Sequence, residues 1–174
     1  MATQSAANTS SVKMRPQARR ETIDHDAVAF LGAQHREVEA LVKQFEKLGE
    51  NGPVAEKEAI VREACKKLTV HAQIQEEIFH PAAREVREVD ALLNEAEVEH
   101  GIAKVLISAL DAMEAEDDLF DAHFTVLSEY IKHHVQEEEG DLFPKVRKGD
   151  LDPEQLGQEL ATRAQELRRG SELP

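Results

Sequence analysis

A short segment occurs twice in this chain, and each copy ends at a proline. Residues 71–81 read HAQIQEEIFHP, and residues 134–144 read HVQEEEGDLFP. In both copies a histidine stands ten residues before the proline, and acidic residues lie between them. Two bulky apolar residues, Ile78-Phe79 or Leu142-Phe143, stand within three residues before the proline. Proline cannot continue a helix and pushes the preceding residue out of the helical region. Each copy is therefore predicted to form the last turns of a helix that ends before Pro81 or Pro144.

The spacing within the repeat indicates a metal-binding pair. The residue four positions after a helical histidine lies on the same face of the helix. That residue is Glu138 after His134, whereas it is Gln75 after His71. A histidine and a glutamate at this spacing can hold a transition metal inside a helical bundle. The second copy carries the complete pair, and the first copy lacks its carboxylate.

The composition favours one all-α domain. The chain has 174 residues, of which 41% are hydrophobic and only 4% aromatic. The net charge of −14 argues against a nucleic-acid partner. The single cysteine, Cys65, excludes an internal disulfide. No apolar run approaches the ~18 residues of a membrane span, and no apolar stretch follows the basic N-terminal residues as in a secretory signal. We therefore expect a cytoplasmic protein with no membrane partner.

Four long apolar stripes with a period of three to four residues predict four helices. Asp24 or Asp26 is expected to cap the first, Pro53 suits the first turn of the second, and the third is expected to begin near Asp90. A break at 114–118 separates the third helix from the fourth. Short connections between long helices are typical of an up-down-up-down four-helix bundle.

The chain divides into three parts by composition. Residues 1–21 are polar and aperiodic, and are expected to be a disordered tail. The bundle occupies 22–148, and 149–174 form a short extra C-terminal helix and tail. This last helix carries fewer apolar residues, so it is expected to pack at the edge of the bundle or to project from it.

The positions of four histidines predict that they meet. At about 1.5 Å of rise per residue, distance from a shared loop gives depth in the bundle. His35, His71, His100 and His134 come from four different helices, lie on the apolar stripes and reach one level. Burying four neutral imidazoles without hydrogen-bond partners costs free energy, and a metal that takes their lone pairs removes that cost. Imidazole suits Fe, Zn, Cu and Ni, and added carboxylates shift the preference toward Fe or Mn.

The other histidines are not predicted to be ligands. His25 stands at a helix start and His80 beside a proline, so both are expected to be exposed or to pack. His133 lies one residue out of phase with the apolar stripe that carries His134. His123 lies three turns from His134, too far for the same centre.

With these motifs the sequence resembles the hemerythrin-like, or HHE cation-binding, family over about residues 24–147. The resemblance implies a four-helix bundle around a non-haem diiron centre. It implies the following site: histidine ligands at His35, His71, His100 and His134, a carboxylate that bridges the two irons at Glu138, and a matching position at Gln75.

Gln75 departs from the family pattern because it offers only a neutral carbonyl oxygen. Glu76 could swing in, Gln75 could bind one metal weakly, or the site could hold one metal or two with lower affinity. Helix three lacks the second histidine of the oxygen carriers, and Glu97 could stand in for it. Tyr130, one turn before His134, could be a ligand, a hydrogen-bond donor near the metal or a core aromatic.

Three functional hypotheses follow. The first is a protein with a non-haem iron centre of two ions, with Mn or Zn as alternatives, that binds or senses O2, NO or peroxide, or buffers iron. The second is a diiron enzyme that processes peroxide or NO. The third is a metal-free helical interaction module. The sequence leaves the oligomeric state open.

Overall fold

The computed structural model describes residues 26–170, and all its regular structure in that range is helical. This confirms the all-α prediction. The predicted polar tail at 1–21 lies outside the described residues, as do Asp24, His25 and 171–174.

Five helices follow one another along the described chain. We number them α1 (Ala27–Leu48), α2 (54–83), α3 (Asp90–Asp111), α4 (120–146) and α5 (Pro153–Gly170). Asp26 caps α1 by accepting a hydrogen bond from the Ala29 amide at 2.8 Å, and α3 begins at Asp90 as predicted. The first four helices form the predicted bundle.

Helices α2 and α4 do not end before their prolines, so that prediction was wrong. Helix α2 runs as an α-helix over Val54–Ile74, makes a π-helical turn over Gln75–Phe79 and continues over His80–Ala83. Helix α4 does the same over Phe120–Glu137, Glu138–Leu142 and Phe143–Val146. In each π turn a backbone amide bonds to the carbonyl five residues earlier, from His80 to Gln75 and from Phe143 to Glu138. The wider turn carries the helix past the proline, which has no amide hydrogen to donate.

A polar layer divides the interior of the bundle into two apolar clusters. One cluster contains Leu31, Ile74, Phe79 and Leu142. The other contains residues such as Val38, Leu68, Ile107, Phe124 and Ile131. The buried histidines lie between them, so both clusters shield this layer from water.

Helix α5 packs against the bundle and does not project from it. It buries Leu156, Leu160 and Ala164 in the same apolar cluster as the π turns. The Arg163 guanidinium donates to the Glu77 carboxylate at 2.7 Å, which links α5 to the π turn of α2. None of the helices in the range 26–170 is long and apolar enough to cross a membrane. Cys65 is buried, and burial raises the pKa of its thiol to about 12, which keeps it protonated.

Candidate metal centre

The structure brings the four predicted histidines together in two pairs. The Nε2 atoms of His35 and His71 are 3.3 Å apart, and those of His100 and His134 are 3.4 Å apart. All four side chains are buried. Their convergence follows from the depth at which each helix presents its histidine, while their role as ligands stays a prediction.

The outer nitrogen of each histidine faces an oxygen on a neighbouring helix. The Nδ1 contacts are His71 to Gln34 at 2.7 Å, His100 to Glu76 at 3.2 Å, His134 to Glu99 at 2.8 Å, and His35 to Glu139 at 2.9 Å. These contacts form a closed ring, in which α1 supports α2, α2 supports α3, α3 supports α4, and α4 supports α1. We call it the Nδ1 ring.

The Nδ1 ring decides where the histidine lone pairs point. When Nδ1–H donates to the ring oxygen, the neutral imidazole keeps its lone pair on Nε2, directed into the layer. Two lone pairs about 3.3 Å apart repel each other unless a proton or a metal ion lies between them. Two imidazole nitrogens bound to one metal at about 2.1 Å, at angles of about 90–110°, lie about 3.0–3.4 Å apart. Both pairs therefore fit a bound metal ion.

Glu138 connects the two histidine pairs. Its Oε2 atom lies 3.1 Å from His35 Nε2 and 3.4 Å from His134 Nε2. With His35 and His71 it forms a three-donor group whose ligand atoms all lie within 4.8 Å of one another. Burial by itself raises the pKa of Glu138, but the charge and hydrogen bond of His134 and the hydrogen bond of His35 outweigh burial and hold the pKa well below its usual range. The carboxylate is thus ionised and ready to bind a cation.

The histidines differ in charge without a metal. Burial, followed by the neighbouring His35, lowers the pKa of His71 well below its usual value. Burial, followed by the charge of His134, lowers the pKa of His100 to about 4. Burial also acts to lower the pKa of His134, but Glu138 and Glu99 outweigh it and raise this pKa to about 10. At neutral pH the metal-free layer therefore holds His134 as an imidazolium beside the Glu138 carboxylate, while His71 and His100 are neutral.

Gln75 lies inside the layer as expected, but it contacts Glu138. Its Nε2 donates to both carboxylate oxygens of Glu138, at 2.8 and 3.0 Å. Among the described residues its buried Oε1 has no hydrogen-bond partner. Glu76 does not swing inward, because it bonds His100 Nδ1 and Lys104. Glu97 is mostly exposed, 3.8 Å from Arg84, so it does not complete the site.

The other candidate side chains are His80, His123, His133 and Tyr130. His80 is buried and stacks on His100 with ring centroids 5.4 Å apart. It was expected either to be exposed or to pack, and it packs. His133 and His123 lie outside the layer, as predicted. Tyr130 is 39% exposed, so the core-aromatic interpretation was wrong.

An apolar cleft reaches the layer from the surface between α2, α3 and α4. It encloses about 40 Å³ and touches His71, His100 and His134 at its inner end. Its walls are largely apolar, from Leu68, Ala72, Ala103, Ile107 and Ile131. Tyr130 and Lys104 stand at its exposed side. A cavity needs about 10–15 Å³ of such space to hold one water molecule, so the cleft has room for a ligand of a few atoms.

Sequence reasoning missed the Nδ1 ring. Gln34 and Glu99 each stand one residue before a layer histidine, and Glu76 and Glu139 each stand five residues after one. Each residue supports the histidine of the next helix and not its own. The regular placement is visible in the sequence, but the partner depends on how the helices are rotated against each other.

Comparisons with known proteins agree with the fold. The family model described as the hemerythrin HHE cation binding domain matches residues 26–146. A solved structure of a hemerythrin HHE cation binding domain-containing protein from Mycobacterium kansasii, the Rv2633c homologue, has the same fold. It is 24% identical, with a TM-score of 0.69, over 84% of this chain and 89% of that one. No curated protein matches this chain. The chain belongs to the hemerythrin HHE cation-binding family.

Proposed function

We propose that this protein holds a non-haem iron centre in its histidine layer and binds a small ligand there, such as O2, NO or peroxide. The observation that carries the proposal is the Nδ1 ring, because it turns the Nε2 atoms of four buried histidines toward one another in a space shielded from water. Hydrogen bonds that fix the outer nitrogen of a ligand histidine are typical of metal sites. A metal-free interaction module offers no reason for this arrangement.

The donors divide between two ions. His35, His71 and Glu138 would hold one ion, and His100 and His134 would hold a second that shares Glu138. Imidazole with carboxylate suits iron. Bound iron would supply a redox-active centre with open positions for an exogenous ligand.

The cleft supports the binding of a small ligand at this centre. It ends at three of the four histidines, and its volume of about 40 Å³ has room for a ligand of a few atoms. Its apolar walls disfavour ions and limit the entry of water. O2 and NO carry no charge and enter such a cleft at little cost.

Peroxide turnover is the second candidate, and Lys104 is the observation that favours it. The Lys104 ammonium lines the cleft and is held by the Glu76 carboxylate at 2.6 and 2.7 Å. Lys104 places an ammonium group at the exposed side of the cleft through which a ligand would reach the histidines. Steady peroxide turnover by iron-loaded protein that falls in Lys104→Met would support this candidate. Turnover no faster than that of free iron would exclude it.

Metal analysis and absorption spectroscopy test the main proposal. We expect protein from iron-replete expression to contain iron, to show near-ultraviolet ligand-to-metal charge-transfer bands, and to change the spectrum of its reduced form on addition of NO. His71→Ala should lose most of the metal, whereas His123→Ala, the same change outside the layer, should keep it. Iron-free protein without charge-transfer bands, or a His71→Ala variant with unchanged metal content and melting temperature, would contradict the proposal.

A further inference from the structure

A second group of metal-ligating side chains lies on the surface beside the buried layer. Glu95 on α3 and His133 and Glu137 on α4 place their ligand atoms within 4.8 Å of one another. His133 Nε2 is 3.7 Å from Glu137 Oε1 and 3.6 Å from Glu99 Oε1. These separations are longer than a hydrogen bond, so the donors surround a gap that they do not close among themselves.

The helices present these donors as two facing pairs. Glu95 and Glu99 lie four residues apart on α3, and His133 and Glu137 lie four residues apart on α4, so each pair shares one face of its helix. One imidazole with several carboxylates suits divalent iron, manganese or zinc. Glu95 and His133 are exposed, so water would fill the remaining positions and a bound ion would exchange readily.

Glu99 joins this surface group to the buried layer. One of its carboxylate oxygens faces His133 at 3.6 Å, while the other bonds His134 Nδ1 at 2.8 Å. A small cavity of about 10 Å³ lies on the same side, lined by Glu99, Glu137, His134 and Glu138 among others. The surface group and the layer therefore share one polar wall.

Carboxylates make the α3–α4 side a better entry for a cation than the apolar cleft. An ion that leaves water for the apolar cleft loses its hydration without compensation, at a cost of many kcal/mol. On the α3–α4 side, carboxylates stand at the surface, at Glu99 and Glu137, and at Glu138 within the layer. A cation on this path keeps carboxylate oxygens within reach at each stage.

We propose that Glu95, His133 and Glu137 form a surface site that captures a divalent transition-metal cation and passes it beside Glu99 to the buried centre. The cleft between α2, α3 and α4 then admits the small neutral ligand, so metal and ligand enter from different sides. The destination of the cation rests on the proposed function, while capture at the surface does not.

The test compares two triple variants of the full-length, metal-free protein. Glu95→Gln/His133→Gln/Glu137→Gln removes the surface site. Glu114→Gln/His123→Gln/Glu129→Gln is the matched control, with the same change of charge on α4 and the loop before it. Electron paramagnetic resonance with Mn²⁺ counts bound ions, and stopped-flow absorption with Fe²⁺ measures the filling of the buried centre.

We expect the site variant to bind one Mn²⁺ fewer than the control and to fill its buried centre roughly tenfold more slowly, at the low end of the effect of local charge on association rates. The final iron content of the buried centre should be the same in both. Equal filling rates in the two triple variants would overturn the proposal, even if the centre fills completely. A wild-type protein that binds Mn²⁺ at the surface but never fills the centre would instead refute the proposed function and leave surface capture standing.

Discussion

Replacing Gln75 by glutamate tests the contact at the middle of the layer. The Gln75 amide donates to both oxygens of Glu138 at 2.8 and 3.0 Å, and the two side chains are 0% and 2% exposed. In the metal-free protein, Gln75→Glu would place two carboxylates at this distance. Like charges about 3 Å apart repel by about 5.5 kcal/mol at an effective dielectric constant of about 20.

The buried pair can escape this repulsion by taking up a proton. Protonating a carboxyl of ordinary pKa at pH 7 costs about 3.7 kcal/mol, which is less than the repulsion. We therefore expect Gln75→Glu to lower the free energy of unfolding of the metal-free protein by roughly 4 kcal/mol at pH 7. That corresponds to a fall in Tm of roughly 8–16 °C. The loss should fade toward pH 4–5, where the proton is bound without cost.

The matched control is Gln73→Glu on the outside of the same helix. Gln73 donates to Glu77 at 2.8 Å, so the chemical change is the same, but this pair is exposed. Solvent screening should limit the control to at most about 1 kcal/mol. Calorimetry of both variants with and without metal measures the difference, and metal should raise the Tm of Gln75→Glu more than that of the wild type. Metal-free variants that melt within about 2 °C of each other at pH 7 would refute the buried contact.

Two further predictions concern the charge of the layer and the role of α5. Because the pKa of His134 is about 10, and the unfolded value is near 6.5, its imidazolium stabilises metal-free protein below pH 6.5, and this stabilisation is lost as pH rises through about 10. Zinc binding at pH 8 should therefore release about one proton from His134; a pH-stat titration that finds none contradicts this. Leu160→Ala, at a fully buried position, should lower the free energy of unfolding by about 2–5 kcal/mol in denaturant titrations, whereas exposed Gln158→Ala should not; equal effects would mean that α5 does not pack there.

The bundle and its histidine layer could be predicted from the sequence because both depend on local regularities. Apolar residues every three to four positions define the buried stripe of each helix. The constant rise per residue converts chain position into depth, which brought His35, His71, His100 and His134 to one level. Neither step requires knowledge of how two helices touch.

The paths of α2 and α4 past Pro81 and Pro144 could not be predicted in this way. The rule that proline ends a helix is also local. The π turns avoid this ending because the backbone amides of His80 and Phe143 donate hydrogen bonds to the carbonyls of Gln75 and Glu138, five residues earlier. Packing of one apolar cluster, which includes Phe79, Ala83, Leu142 and Val146, against the continued helices stabilises a turn that is rare by itself.

The assignment of partners within the layer was decided by tertiary structure alone. The sequence pairs Glu138 with His134, four residues before it, yet the carboxylate also completes the group of His35 and His71 on other helices. The residues near the layer histidines in sequence likewise support histidines on neighbouring helices. A sequence determines which side chains face inward and how deep they lie, because these follow from one helix. Which inward atoms meet depends on the rotation and separation of helices, which only packing of the whole bundle fixes.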